Sequence, residues 1–149
     1  MNIFPPLDER LEWSVAASRL EAWAPAWDKT KTVTFLDLGP GSLGLRLEHW
    51  ARRRRCQVEV VKAADPRPLA KEGRKFSYVI GSMFLQRMPF DELPDMLRTC
   101  DSLATRGILF TDVKPGPAEL EIAADLAGLG YLRVRRGPFS RLSLAGERH

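Results

Sequence analysis

Residues 32–45 read Thr-Val-Thr-Phe-Leu-Asp-Leu-Gly-Pro-Gly-Ser-Leu-Gly-Leu, and this stretch decides the fold. Val33 to Leu38 is an apolar and β-branched run, the composition of a short strand buried on both faces. Gly39-Pro40-Gly41 cannot extend that strand, so the chain turns there. Ser42 is placed to cap a helix that continues through Leu43, Leu45, Leu47 and Trp50. Strand, glycine turn and helix in succession open a βαβ unit. Gly39, Gly41 and Gly44 have the spacing G-x-G-x-x-G, which brings a nucleotide to a strand-to-helix turn because backbone without side chains can approach a ligand closely. A plain strand-turn-helix with a capping Asp gives the same pattern without a ligand.

Asp37 narrows the reading. It ends the strand two residues before Gly39, where open α/β sheets bind ligands. A carboxylate there repels the pyrophosphate of a dinucleotide. S-adenosylmethionine carries no phosphate, and its ammonium and sulfonium both suit a carboxylate. Asp37-Leu38-Gly39-Pro40-Gly41 resembles the first motif of class I S-adenosylmethionine-dependent methyltransferases, in which Asp-x-Gly-x-Gly closes the first strand. That family often has a third glycine at the position of Leu43; here it falls one residue later, at Gly44. The resemblance implies a Rossmann-like fold, S-adenosyl-L-methionine as cofactor, and Asp37, Gly39, Pro40 and Gly41 among the residues that bind it.

Outward from the turn, Gln57 to Ala64 reads as the second strand, with Val58, Val60 and Val61 apolar. Asp65 lies twenty-one residues after Gly44, the expected place of an acid that accepts hydrogen bonds from ribose hydroxyls. An Asp before Pro at a strand end is also a common turn residue. Ten residues then separate Asp65 from the next strand, Phe76 to Ser82. A doubly wound methyltransferase holds a helix and an additional strand in that interval, and ten residues cannot. By right-handed crossover the strand from Gln57 pairs beside the strand from Val33. By local resemblance, residues 58–69 and 75–80 are similar to the family's third and fourth strands, which would put Asp65 on the adenine side. On either assignment one edge strand-helix unit is missing and the adenine side of the pocket is thin.

Met83-Phe84-Leu85-Gln86-Arg87-Met88-Pro89 resembles the segment after the family's fourth strand, which often carries a histidine pair where Gln86 and Arg87 stand. The resemblance adds Ser82 and Met83 to the expected cofactor-binding set. Asp91 is placed to cap a helix through Leu93, Met96, Leu97 and Leu103, with Arg106-Gly107 breaking it. Gly107 to Val113 is a fifth-strand candidate containing Asp112. A loop over 114–117 leads to a helix from Ala118 to Leu129, stopped by Gly130. Tyr131 to Arg135 and Arg141 to Ala145 form a terminal antiparallel hairpin around Gly137-Pro138. The expected architecture is three-layer α/β, Rossmann-like, with a mostly parallel sheet and a C-terminal antiparallel hairpin.

Before the turn, a helix starts near Asp8 and ends at Pro25. Trp13, Ala16, Ala17, Leu20 and Trp23 recur on it at helical spacing. Its tryptophans, with Trp27, are read as packing on the sheet rather than as a lid over a pocket.

The chain of 149 residues, 44% hydrophobic and 28% charged, has the length and composition of one soluble globular domain, 1–149, with 1–28 as an N-terminal helical segment. Met1 to Arg10 lacks the pattern of a signal peptide, and no apolar run reaches membrane-spanning length, so a cytoplasmic protein without membrane contact is expected. Cys56 and Cys100 stand apart from each other and from histidines, as free thiols rather than metal ligands. The net charge of +4 and sequence pI near 9.4 permit contact with nucleic acid without requiring it. Two clusters carry much of the excess: Arg52 to Arg55, read as a solvated helix end, and Arg133-Val134-Arg135-Arg136.

Methyl transfer from a sulfonium needs alignment and, for some acceptors, a base. Ser82, Gln86, Arg87, Asp112 and Lys114 are placed near the strand ends where an acceptor enters, but they form no base pair or triad, and no catalytic residue is assigned. His49 reads as structural and His149 as terminal. Three functions follow: a compact methyltransferase with unknown acceptor, a methyltransferase-like binding module without catalysis acting as a homodimer or partner subunit, and a nicotinamide enzyme, disfavoured by Asp37.

Overall fold

The computed structural model describes residues 7–112, 116–137 and 141–148. Its elements are α1 (Leu7–Trp23), β1 (Val33–Leu38), α2 (Leu43–Arg54), β2 (Val58–Ala63), α3 (Arg67–Lys71), β3 (Phe76–Ser82), α4 (Leu93–Leu103), β4 (Ala104–Asp112), α5 (Pro117–Leu126), β5 (Arg133–Arg136) and β6 (Leu142–Glu147). The six strands form one sheet in the order β2-β1-β3-β4-β6-β5. β2, β1, β3 and β4 pair in parallel, whereas β6 runs antiparallel to both β4 and β5.

The expected architecture holds, including the missing unit. β2 is the sheet edge, with no strand beyond it among the described residues. The ten residues after Asp65 hold only the five-residue α3. The consequence is visible in β2, where Val58, Val60 and Val61 stay half-buried while Glu59 and Lys62 face solvent. An edge strand that carries charged side chains resists pairing with another chain.

Alternation along the strands sends side chains to two cores. Leu36 and Leu38 of β1, Val79 of β3 and Ile108 and Phe110 of β4 meet α4 and α5 on one face. Val33, Phe35, Tyr78, Ile80 and Leu109 meet α1 and α2 on the other. The tryptophans belong to this second core and pack, as expected. Trp23 stacks on Tyr78 with ring centroids 5.2 Å apart, and the Trp27 indole N–H donates to the Tyr78 hydroxyl at 2.8 Å. Tyr78 in turn donates to the Glu147 carboxylate.

Several boundaries differ from the sequence reading. The buried stripe of α1 runs through Glu12, Val15, Ala16, Leu20 and Trp23, with Trp13 and Ala17 at its margin. β4 starts at Ala104 rather than Gly107, because α4 ends at Leu103 and the chain extends at once. Asp91 does not cap α4; it lies in a short 3-10 turn before it, and Glu92 holds the cap position without a side-chain bond. α5 ends at Leu126, where Gly128 at φ +77° supplies the left-handed residue expected of Gly130. The hairpin strands begin and end one or two residues later than expected. Val113, Lys114, Pro138 and His149 lie outside the described residues.

Candidate functional site

The carboxyl ends of β1, β2 and β3 meet around the glycine turn. Gly39 has φ +95°, and a Cβ built on it would lie 2.5 Å from the Ser82 carbonyl oxygen. A Cβ on Gly41 would lie 3.0 Å from that of Ser82, and one on Gly44 would lie 2.7 Å from Asp37 Oδ2. The three glycines therefore let the turn and α2 close onto the end of β3 and onto Asp37. That is a packing demand beyond the ligand approach that the spacing implies.

Asp37 is 2% exposed. Its Oδ2 accepts from the Gly44 N–H and from Lys62 Nζ, each at 3.2 Å. Lys62 also donates to the Gly41 carbonyl at 2.9 Å. Burial pushes the Asp37 carboxyl above its ordinary value, with Lys62 opposing the shift. Ser42 occupies the cap position of α2 but makes no side-chain cap bond; Asp37 satisfies one of the free amides of the helix instead. The carboxylate thus faces into the turn with its charge compensated only in part by Lys62.

Beside the turn lies an open groove of about 570 Å³, lined by Gly39, Pro40, Lys62, Ala63, Ala64, Phe84, Arg87 and Met88. Its walls are apolar, with two cations and, among the described residues, no carboxylate. Phe84 is buried and stacks on Phe110 at 5.8 Å, which fixes the inner wall. Asp65 follows Ala64 in the chain and is not among the residues that line the groove. Arg67 grips it through Nε at 3.0 and 3.2 Å, through Nη2 at 3.0 Å and through its backbone N–H at 3.0 Å. These bonds hold the Asp65 carboxyl below its ordinary value.

Ser82 and Met83 end β3 on the other side of the turn. Ser82 is buried, with Oγ 3.4 Å from Glu12 Oε2. Met83 has φ +58° and donates its N–H to the Thr111 carbonyl at 3.1 Å, a left-handed non-glycine residue of the sort concentrated at functional sites. Glu12, 4% exposed, also accepts from Arg141 Nη1 at 3.4 Å. Next to Ser82 in the sheet stands Thr111, whose buried Oγ1 has no hydrogen-bond partner among the described residues.

Of the expected cofactor residues, Gly39 and Pro40 line the groove, Gly41 receives Lys62, and Asp65 lies next in the chain to the lining residue Ala64. Asp37 faces inward, and Ser82 and Met83 turn toward α1 and β4. Sequence reading missed Lys62 and Glu12. Lys62 had a signal, since it pairs in register with Asp37 once β2 is set beside β1. Glu12 had none, since an acid on a helical stripe reads as solvent-facing. His49 is exposed on α2. Burial pushes the Cys100 thiol well up, leaving it unreactive. No group of His, Cys, Asp and Glu able to hold a metal is found among the described residues.

No protein-family model and no curated protein matches the sequence. Solved structures match in shape. Magnesium protoporphyrin IX methyltransferase from Synechocystis PCC 6803, with bound SAM, aligns over 100% of this chain and 87% of its own at TM-score 0.60 and 17% identity. A SAM-dependent methyltransferase from Archaeoglobus fulgidus covers 95% of this chain and 97% of its own, at TM-score 0.58 and 14% identity. A ribosomal protein L11 methylase from Lactobacillus delbrueckii subsp. bulgaricus covers 91% and 80%, at TM-score 0.51 and 14% identity. The chain has the Rossmann-like fold of the class I S-adenosylmethionine-dependent methyltransferases. Among the described residues it has no strand-helix unit outside β2. Among the described residues no helix is long and apolar enough to cross a membrane.

Proposed function

We propose that the protein binds S-adenosylmethionine in the groove beside Gly39 and transfers its methyl group to an acceptor that enters over the ends of β3 and β4. The observation that carries this reading is the groove itself. Its volume is within the range of small-molecule sites, and it lies at the strand ends where open α/β sheets bind ligands. Pro40, Ala63, Ala64, Phe84 and Met88 offer apolar contact to an adenine. Asp65 offers a carboxylate to ribose hydroxyls, in competition with Arg67. Lys62 and Arg87 offer cations to the methionyl carboxylate. The cofactor supplies an electrophilic methyl on its sulfonium. The chain supplies orientation and a wall of buried side chains, and no general base is assigned. The non-catalytic reading gains no support from the solved neighbours, which are methyltransferases and methylases.

The test is a melting curve with S-adenosylhomocysteine, the demethylated product. Ligand at about a hundred times its dissociation constant stabilises a fold by roughly 2.7 kcal/mol. At very roughly 2–4 °C per kcal/mol for a domain near this size, the midpoint rises by several degrees. Radiolabelled methyl transfer to candidate acceptors then identifies the substrate. An unmoved melting curve at millimolar product refutes the reading.

A further inference from the structure

The second arginine cluster of the sequence finds no use in the cofactor groove. It lies on β5, the opposite sheet edge. There Arg135 and Arg136 line a second groove, of about 440 Å³, with Arg19, Ser14 and Ser18 of α1, Gly137 and the buried Ser143 of β6. Arg19, Arg135, Arg136 and three serines line it, and among the described residues no acid does. Across Arg19 the surface continues into a neighbouring hollow that adds Arg133. The one acid in that hollow, Glu147, accepts from Tyr78. Arg19 is half-buried. Its guanidinium is held below its ordinary value by burial and by Arg135 beside it. Like charges pressed together without an acid build a positive field that an anion relieves.

The register connects this groove to the glycine turn. Arg135 pairs with Ser143, Ser143 with Thr111, and Thr111 with Ser82, which packs against Gly39 and Gly41. A row of polar side chains therefore crosses four strands beneath α1. Three inter-strand steps of about 4.8 Å set its ends about 14 Å apart.

We propose that the groove between α1 and β5 binds the phosphodiester backbone of a nucleic acid, and that this polymer is the methyl acceptor. Planar guanidiniums pair bidentately with phosphate oxygens, and serine hydroxyls donate to them. The row of arginines from Arg133 to Arg136 suits a repeating anion better than a single phosphate. A polymer also spans the distance between the groove and the turn, whereas a small phosphate ester does not. Among the described residues no aromatic ring lines the groove between α1 and β5, where backbone is gripped, while Trp23 and Tyr131 line the neighbouring hollow that holds Arg133. The acceptor role rests on the methyl-transfer reading; the binding does not.

The test uses the full chain with fluorescently labelled 20-nucleotide single-stranded RNA and DNA between 50 and 200 mM NaCl. Binding to either, with affinity falling steeply as salt rises, is expected. Arg19→Ala/Arg135→Ala weakens it about tenfold and flattens the salt slope by about 0.7 for each phosphate no longer neutralised. Arg135→Ala alone does so to a lesser degree, and Arg52→Ala/Arg53→Ala on α2 leaves affinity unchanged. The shift in melting point with S-adenosylhomocysteine persists in the Arg19 and Arg135 variants, so failure of this inference stays distinct from failure of the cofactor reading. The inference is overturned if neither strand binds at 50 mM salt or if the Arg135 variant binds as wild type. It is also overturned if inorganic pyrophosphate displaces the strand at equal concentration.

Discussion

The ends of β1 and β2 lie side by side in register, yet they are built differently. At the end of β1 each group is locked. Asp37 is buried, bonded to Gly44 and Lys62, and three glycines let backbone close around it. At the end of β2, Lys62 reaches across to Asp37 and the Gly41 carbonyl, and beyond it Asp65 is half-exposed and held by an arginine two residues away. The difference traces to the missing unit. β1 lies between two strands and beneath α2, whereas β2 has a neighbour on one side alone. The half of the groove near the turn is therefore preorganised, and the half near Asp65 is open to solvent. Binding strength at the second half depends on few contacts.

The comparison breaks most directly at Gly39. Gly39→Ala places a side chain at φ +95° and 2.5 Å from the Ser82 carbonyl. The left-handed conformation alone costs roughly 1–2 kcal/mol, and the contact adds to it. At very roughly 2–4 °C per kcal/mol, calorimetry is expected to show the midpoint down by about 4 °C or more. A variant melting like wild type would mean that the turn is not locked.

Asp65→Ala has the opposite profile. Loss of a hydrogen bond to a charged partner costs roughly 1.5–3 kcal/mol, about ten- to a hundredfold in affinity for S-adenosylhomocysteine. The unliganded midpoint falls by no more than about 2–4 °C, because an exposed ion pair contributes about 1 kcal/mol at most. Unchanged affinity in a titration removes Asp65 from the site.

A smaller effect distinguishes the cofactor from its product. Lys62, paired with Asp37, and Arg87 line the groove, and among the described residues no carboxylate does. A sulfonium therefore meets like charge that the neutral thioether of the product does not. Charges in water about 4 Å apart interact by about 1 kcal/mol, so the product is expected to bind roughly fivefold tighter than S-adenosylmethionine, with the gap closing at high salt. Equal affinities at low salt would contradict this.

The smallest effect concerns pH. The folded Asp37 carboxyl lies above its ordinary value of 3.8, so protonation favours the fold. That contribution is fully present below 3.8 and is lost as pH rises through the folded value. Asp37→Asn mimics the protonated group and can still accept from Gly44. Its stability relative to wild type is expected to grow from acidic pH toward neutrality in a series of melts. The reverse slope would show that Lys62 outweighs burial.

The sheet order was legible because the decisive signals were spacings: a glycine turn after an apolar run, and ten residues where a strand-helix unit would not fit. Local chemistry was less so. The Asp37 side chain could be placed at the turn but not aimed, because its partners Gly44 and Lys62 meet it only after α2 folds back and β2 pairs with β1. Glu12 was invisible, since its burial depends on Arg141 from the far end of the chain. The start of β4 was misplaced because Arg106-Gly107 reads as a break, whereas the glycine sits within the strand where a Cβ would lie 2.4 Å from the Gly146 carbonyl.

The most direct test of the account is a calorimetric titration of S-adenosylhomocysteine, run beside NADH on the same preparation. The expected result is one product molecule bound per chain and no heat from NADH. Absence of binding at millimolar product, or NADH binding as tightly, would contradict the assignment of the groove beside Gly39 to an adenosyl cofactor.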